Sequence, residues 1–486
     1  MVFISEPSHH FTVRIVSGLL GILVLLQSTT CTPLEAAKRD SLQLVQVIFR
    51  HGDRAPTYTY PNDPYGDIST YWPEGLAQLT NRGKMQQYEL GRYLRQRYDG
   101  YLGKKYTQQE LYVTSSDMDR TIMSLESNLA GLFPPVNKWN PNIEWQPIPL
   151  RTIPWKEDKL LHVNVRCPRY HEIRRNFLSS SDVVKKINED NQEFIQFCAK
   201  KSGLDAKTVK DLYPLLDVLY AQSQHNLSLP EWAQGDTLPK LIQLHATTNT
   251  WPTYTDEMKR LWGGPLLGLL IKNMMAIAGH LGSNPEDAHS VSHGVNRKML
   301  MYSAHDSTLA RIMNTMGVFE PHCPPYAAAL IVELHQDPAT FEYYTEIHYR
   351  NDTTRAPYLL TPEKCGYPCN LREMIEKTKP LIPVDWVKEC QLESKPTNFF
   401  TLRMGSTSSS TAGLDGELLH SCYLSPIQLT LMGVGLFSIS ALAVLIIAKV
   451  LQGRKEDNYY DDSGSRPLFV SLWQNKPFYG AAYEKL

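Results

Sequence analysis

The sequence has no surplus of either charge: 49 Lys and Arg stand against 50 Asp and Glu, a formal net charge of −1 over 486 residues. A protein that grips nucleic acid needs a basic excess to displace counterions from phosphates, so that class is excluded. A long disordered chain is excluded too, because 42% of the residues are hydrophobic and 10% aromatic, enough to bury a core. No internal repeat recurs, which removes solenoids and propellers. Zinc-site spacing is also lacking. Cys365-Gly-Tyr-Pro-Cys369 has no second cysteine pair and no closely spaced histidine pair to complete a metal shell, so a short-range disulfide is expected there.

Two apolar runs set the compartment. Ile15 to Leu26 follows Arg14 and gives way to small and polar residues from Ser28 to Ala37. This is the layout of a secretory signal peptide, and the run is short for a membrane span. Ile427 to Leu451 is different: about twenty uncharged residues from Leu429 to Ala448, at ~1.5 Å each, cover a hydrocarbon core of about 30 Å. Lys449, Arg454 and Lys455 follow it, as the positive-inside rule requires of a cytoplasmic end. The reading is a type I membrane protein. A third run, Pro265 to Leu281, is interrupted by Lys272 and Asn273 and is expected to be a buried core helix.

Of eight cysteines, Cys167, Cys198, Cys323, Cys365, Cys369 and Cys390 fall in the lumenal body, an even number suited to an oxidising compartment. Asn226-Leu-Ser228 and Asn351-Asp-Thr353 are glycosylation sequons.

Within the body, the pattern predicts strands at Leu42–Phe49, Leu111–Thr114, Lys298–Tyr302, Ala328–Leu334 and Tyr343–Tyr349. A helix is predicted after Thr80, with Met85, Tyr88, Leu90, Tyr93 and Leu94 at helical spacing and Thr80 as N-cap. Strands alternating with helices predict an α/β fold with a doubly wound sheet and helices on both faces. Residues 139–261 show helical periods and few strand signals, hence a mainly helical insertion or cap. The expected organisation is a signal peptide at 1–37 and an α/β domain at 38–138 and 262–395 around the cap. A stem at 396–426, a single transmembrane helix at 427–451 and a cytoplasmic tail at 452–486 follow.

Ligands of open α/β sheets bind outside the carboxyl ends of strands. Three of those ends carry Arg50, His51 and Arg54; then Arg120; then His305 and Asp306. Taken singly, each cluster has an ordinary structural reading, Arg50 pairing with Asp53 and Arg120 with Asp117 or Asp119. Taken together, three guanidiniums aimed at one place repel one another unless an anion sits among them. Arginine's planar fork suits phosphate oxygens. A histidine in such a cluster serves as a donor or as the nucleophile, and an adjacent Asp supplies a proton. The chemistry inferred is phosphoryl transfer.

Arg50-His51-Gly52-Asp53-Arg54-Ala55-Pro56 matches the RHGxRxP signature, and Ala304-His305-Asp306 the later HD motif, of the histidine acid phosphatases. Ser115-Ser-Asp-Met-Asp-Arg120 and Gly75-Leu-Ala-Gln-Leu-Thr-Asn-Arg-Gly83 also resemble this family. The likeness covers Leu42 to Cys390 and is strongest to the lysosomal and prostatic types. It implies that His51 is a nucleophile passing through phosphohistidine. Arg50, Arg54, Arg120 and His305 would bind the phosphate, and Asp306 would protonate the leaving oxygen. No metal or cofactor is implied, since arginines supply the positive charge. An optimum on the acid side of neutral is expected. The family's disulfides imply Cys167–Cys390 and Cys365–Cys369. Ala221 and Ala329 stand where the family carries a further pair, leaving Cys198 and Cys323 as a replacement bridge.

The resemblance points to a lysosomal or endosomal membrane protein with a lumenal catalytic body, hydrolysing phosphate monoesters. The plasma membrane, or release by stem cleavage, is the alternative. Tyr483-Glu-Lys-Leu486 has the shape of a sorting signal read by clathrin adaptors, and the resembling enzymes are commonly homodimers. Two competing readings are a surface glycoprotein that binds phosphorylated ligands without turnover, and a phosphomutase. Intact His51 and Asp306 count against the first; the signal peptide and HD motif count against the second.

Overall fold

The computed structural model describes residues 36–162, 166–279, 297–362 and 365–392. The run at 15–26, the stem, the predicted span at 427–451 and the tail with Tyr483 and Leu486 lie outside the described residues. Among the described residues, no helix is long and apolar enough to cross a membrane.

The strands are β1 (Leu42–Arg50), β2 (Leu111–Ser116), β3 (Arg151–Ile153), β4 (Met299–Ala304), β5 (Ala329–Gln336), β6 (Tyr343–Arg350), β7 (Tyr358–Leu360) and β8 (Cys369–Asn370). They form one sheet in the order β3-β2-β4-β1-β5-β6-β7, with β8 against β6. β3, β2, β4 and β1 run parallel, whereas β5, β6 and β7 are antiparallel to their neighbours. The doubly wound expectation is thus corrected to a mixed sheet. A short turn after Gln336 joins β5 to β6, and a connection that short permits only antiparallel pairing.

β1 is buried on both faces, as its unbroken aliphatic sequence requires. Val45, Val47 and Phe49 pack with helices α1 (Asn81–Arg97) and α2 (Asp119–Leu132). Thr80 caps α1 through its side chain, but the buried stripe is Gly83, Gln87, Leu90, Gly91 and Leu94, while Met85 and Tyr88 are exposed. The small Gly91 faces inward because a Cβ there would lie 1.9 Å from the Asn128 carbonyl oxygen of α2.

The cap carries α3 (Pro168–Ser180), α4 (Tyr213–Gln224) and α5 (Thr237–Thr248), with a core of its own around Ile195, Leu215, Leu219, Leu241 and Trp251. It starts later than expected. β3 lies inside 139–261 yet hydrogen-bonds to β2, so the sheet claims that stretch. Tyr60 joins the cap core and Trp72 is buried beside Ala55 and Ala221, whereas Tyr71 is exposed.

The opposite face of β1, through Leu44 and Ile48, packs with α6 (Gly264–Ile277) and α7 (Asp306–Met316). α6 is the interrupted apolar run. Its Asn273 is buried because its amide donates to Gln46 Oε1 at 2.8 Å and to the Tyr302 hydroxyl at 3.1 Å, satisfying polar groups that would otherwise be costly in the core.

Cys167–Cys390 joins the start of the cap to the end of the body across 223 residues, and Cys365–Cys369 closes a small loop. The third expected bridge is corrected. Cys198 and Cys323 are free, because Cys198 is packed inside the cap core while the Cys323 thiol lies 3.5 Å from the Ile242 carbonyl oxygen. Burial pushes both thiols up to about 12.

Candidate active site

β2, β4 and β1 are neighbours and run the same way, so their carboxyl ends deliver all three sequence clusters to one edge of the sheet. β1 ends at Arg50 and leads to His51. β2 ends at Ser116, and Arg120 sits in the first turn of α2. β4 ends at Ala304, followed by His305 as N-cap of α7 and Asp306 as its first residue. Neither N-cap residue caps its helix through its side chain, although the Ser307 N–H donates to Asp306 Oδ1 at 2.7 Å, and the positive ends of both helix dipoles lie at the same edge.

The motif loop is fixed by backbone contact. A Cβ on Gly52 would lie 2.2 Å from the Gly83 carbonyl oxygen, and one on Gly83 2.1 Å from that of Asp53. Only glycine allows that approach, which explains both residues in the sequence motifs. Gln87 Nε2 donates to the Arg50 carbonyl at 2.8 Å, and the Gly52 N–H donates to Ser124 Oγ at 3.1 Å. Asp53 does not pair with Arg50. Its Oδ2 accepts from the Thr80 hydroxyl at 2.5 Å and meets His225 Nε2 at 2.7 Å, tying the motif to the end of α4.

His51 is 2% exposed. Its Nδ1 lies 2.8 Å from the Gly52 carbonyl oxygen. A carbonyl only accepts, so Nδ1 carries the hydrogen and the Nε2 lone pair is the free one. Burial, then the charges of Arg120, Arg50 and Arg54, hold its pKa well below the ordinary histidine value. Burial and these charges therefore favour the neutral imidazole over the charged one. The His305 ring stands edge-on to it at 5.6 Å, with Nε2 2.9 Å from Ser116 Oγ. Burial and Arg120 depress His305 as well, making it a neutral hydrogen-bonding group.

Each arginine has a distinct setting. Arg50 forms an ion pair with Asp306 at 2.8 Å, donates to the Pro324 carbonyl at 2.7 Å and lies 4.2 Å over the Tyr326 ring. Arg54 makes a two-pronged pair with Asp217 of α4, at 2.5 and 3.3 Å. Among the described residues Arg120 pairs with neither Asp117 nor Asp119, and its Nη2 meets the Met118 sulfur at 3.3 Å. Burial and Arg54 lower its pKa to about 10. The Nε atoms of all three are buried without a hydrogen-bond partner. Buried donors of this kind call for an acceptor with several oxygens.

Asp306 is depressed too. Burial would raise its pKa, but Arg50, then His245 and Arg54, hold it below the ordinary carboxylate value. In this form of the protein it is ionised and bound to Arg50.

Sequence reasoning missed Asp217, Ser116, Tyr326, His225 and His245. Asp217 left one trace, a lone acid in the apolar stretch Leu212 to Tyr220. Ser116 and His225 meet their partners across 189 and 172 residues, and Tyr326 meets Arg50 across a still longer stretch of chain, so no local pattern marks them.

Residues 41–350 match the histidine phosphatase superfamily (branch 2). The chain is 38% identical over 378 residues to prostatic acid phosphatase of Rattus norvegicus, covering 76% of this chain and 93% of that one. It is 37% identical over 386 residues to lysosomal acid phosphatase of Homo sapiens, covering 78% and 87%. Among solved structures, a Hafnia alvei phytase in complex with tartrate shares the fold, with a TM-score of 0.55 at 18% identity over 72% of this chain and 98% of the other. The strand-end clusters, the extent of the match and these relatives agree: the chain belongs to the histidine phosphatase superfamily, branch 2.

Proposed function

We propose that this acid phosphatase hydrolyses phosphate monoesters in two steps through a phosphohistidine on His51. The observation that carries the reading is a buried imidazole beside three guanidiniums whose buried Nε donors lack hydrogen-bond partners among the described residues. His51 Nε2 attacks phosphorus, the ester P–O bond breaks, and its electron pair leaves with the oxygen, which takes a proton from Asp306. Water then attacks the phosphorus of the N–P bond, giving a proton to Asp306 and returning the electron pair to Nε2. Arg50, Arg54, Arg120 and the neutral His305 hold the phosphoryl oxygens throughout.

The acid optimum follows from the same contacts. In the free protein Arg50 keeps Asp306 ionised. A dianion arriving between them draws Arg50 onto phosphate and adds negative charge beside the carboxyl, so Asp306 takes up a proton in acid. His51 resists protonation under those conditions because its pKa is depressed.

A lysosomal or endosomal membrane location is supported by the lysosomal relatives and by the signal-like and span-like runs of the sequence. The same runs leave the cell surface, or release by cleavage in the stem, as the alternative. Exposed Asn226 suits glycosylation, and Tyr483 to Leu486 suits adaptor recognition. Homodimers are favoured by the outer edge of β3, which pairs on one side only and follows exposed Trp139 and Trp145 in the chain.

The test is phosphate release from an aryl phosphate at acid pH, with His51→Ala as comparison. Activity lost in the variant, with an acid-labile phosphoenzyme trapped only in the parent, is the expected result. A folded parent without turnover would overturn the reading in favour of a phospho-ligand binding protein.

A further inference from the structure

The sequence carries Glu-x-His twice, as Glu333-Leu-His335 and Glu346-Ile-His348, and β5 and β6 hold one copy each. Side chains two apart on a strand share a face, so each glutamate lies on the same side as its histidine. The antiparallel register sets Glu333 directly opposite Glu346. Like charges facing each other across a ladder destabilise it, and both carboxylates are buried. The phosphate pocket does not use them. Glu333 is level with Val45 on β1, about 16 Å before Arg50 at ~3.3 Å per residue.

Each carboxylate turns one oxygen away from its histidine. Glu333 Oε1 accepts from Arg97 Nη2 at 2.9 Å and the Tyr98 hydroxyl at 2.6 Å. Glu346 Oε1 accepts from the Tyr367 hydroxyl at 3.0 Å, and Lys38 Nζ lies 3.1 Å from both Glu346 oxygens. The other oxygens turn to the histidines. Glu333 Oε2 is 3.4 Å from His335 Nε2 and 3.3 Å from His348 Nε2, and Glu346 Oε2 is 3.1 Å from His348 Nε2.

The tautomer of His335 follows from its partner. The Ser41 hydroxyl donates its one hydrogen to the Lys38 carbonyl at 2.9 Å, so its oxygen accepts from His335 Nδ1, also at 2.9 Å. Nδ1 therefore carries the imidazole hydrogen, and Nε2 turns a lone pair on the Glu333 oxygen. Stacking on Tyr344, with centroids 5.1 Å apart, holds the ring in that orientation. Both residues are fully buried, and two acceptors facing each other there need a positive centre between them.

We propose that Glu333, His335 and Glu346 bind a divalent cation of the zinc type. The three offer one ligand atom each, all within 4.8 Å of one another. A tetrahedral ion with ligands at about 2.1 Å sets them ~3.4 Å apart. His335 Nε2 and Glu333 Oε2 have that separation, and Glu346 closes the shell from the facing strand. Imidazole with carboxylate suits zinc, whereas magnesium and calcium prefer oxygen alone. Arg97, Tyr98 and Tyr367 hold the carboxylates from outside and Ser41 holds His335, as outer partners of metal ligands do. Lys38 covers the way in, its side chain being 42% exposed. An entering ion takes over from the ammonium, which water receives, so the buried charge rises by one instead of two. In the metal-free protein a proton takes the ion's place.

Full-length protein in detergent is stripped with a chelator and dialysed against buffered Zn2+ or Mg2+ at about pH 7.5, where protons compete less for the ligands. Metal analysis should find about one zinc per chain and no magnesium, and Zn2+ should raise Tm. Zinc-edge X-ray absorption should show nitrogen and oxygen neighbours at ~2.0–2.1 Å, with imidazole among them. His335→Phe, which keeps a ring on Tyr344, should weaken binding by more than the ~10- to 100-fold expected for losing an outer partner. Glu346→Gln should do the same and stands in if the Phe variant does not fold. A parent that binds no zinc, or a variant that binds it as tightly as the parent, would overturn the proposal and leave a proton between His335 and Glu333. A zinc shell containing sulfur would overturn it too, placing the ion on a cysteine.

Discussion

Replacing Arg120 with Met should make the protein more stable and nearly inactive. Arg120 is the least compensated of the three guanidiniums among the described residues, with one sulfur contact, an unpaired Nε, and a pKa lowered from the ordinary arginine value to about 10 by burial and by Arg54. Each pKa unit is about 1.4 kcal/mol, so keeping the group charged without a bound anion costs roughly 3 kcal/mol. Solvent reaches the side chain in part, which screens the charge, and about half of that figure is expected as a gain from a neutral residue of similar length. That gain of ~1–2 kcal/mol raises Tm by a few degrees. The same substitution removes up to two charge-assisted bonds to the phosphoryl group, each worth ~1.5–3 kcal/mol, so kcat/KM should fall about 100- to 10,000-fold. Thermal melts with and without inorganic phosphate, beside steady-state kinetics, measure both. Phosphate should stabilise the parent strongly and the variant weakly. A variant that melts lower than the parent, or that keeps its kcat/KM, would show that Arg120 is a structural residue.

Two further outcomes are expected away from the phosphate pocket. Buried Glu333 and Glu346 flank His348, whose Nε2 lies 3.3 and 3.1 Å from them. Burial opposes protonation of His348, but these bonds raise it above the ordinary 6.5; against its own burial, Glu346 is held at about 2 by His348 and Lys38. The His348 contribution is full below about 6.5 and fades as pH rises through its raised value; those of the glutamates are full above about 4.5 and fade as pH falls. Stability should peak between those limits, and His348→Gln should flatten the alkaline side of the Tm–pH curve; an unchanged curve contradicts the assignment. Cys167→Ser should cost ~2–5 kcal/mol because its bridge closes a loop of 223 residues, and Cys365→Ser less, its loop spanning only four; urea melts giving the reverse order would count against the loop-closure account.

The sequence alone pointed to phosphoryl chemistry and marked the three strand ends that the sheet brings together. Buried parallel strands need unbroken aliphatic runs, and their ends are marked by abrupt polar clusters, so Arg50, His51, Arg54, Arg120, His305 and Asp306 were all legible. The helix capped by Thr80 and the core helix of residues 264–277 were legible from local periodicity. β3, β7 and β8 were not, since two or three residues give no period, and the sheet's antiparallel half depends on pairings between distant segments.

Tertiary structure alone decided how the charges are shared. Which carboxylate Arg50 meets, that Asp217 of the cap clamps Arg54 across 163 residues, and that Arg120 is left without a carboxylate are consequences of chain crossing in space. The failed Cys198–Cys323 bridge has the same cause, because pairing by elimination ignores where each thiol packs. Local chemistry is written in residue types and spacing; protonation states depend on neighbours that only the folded chain brings together.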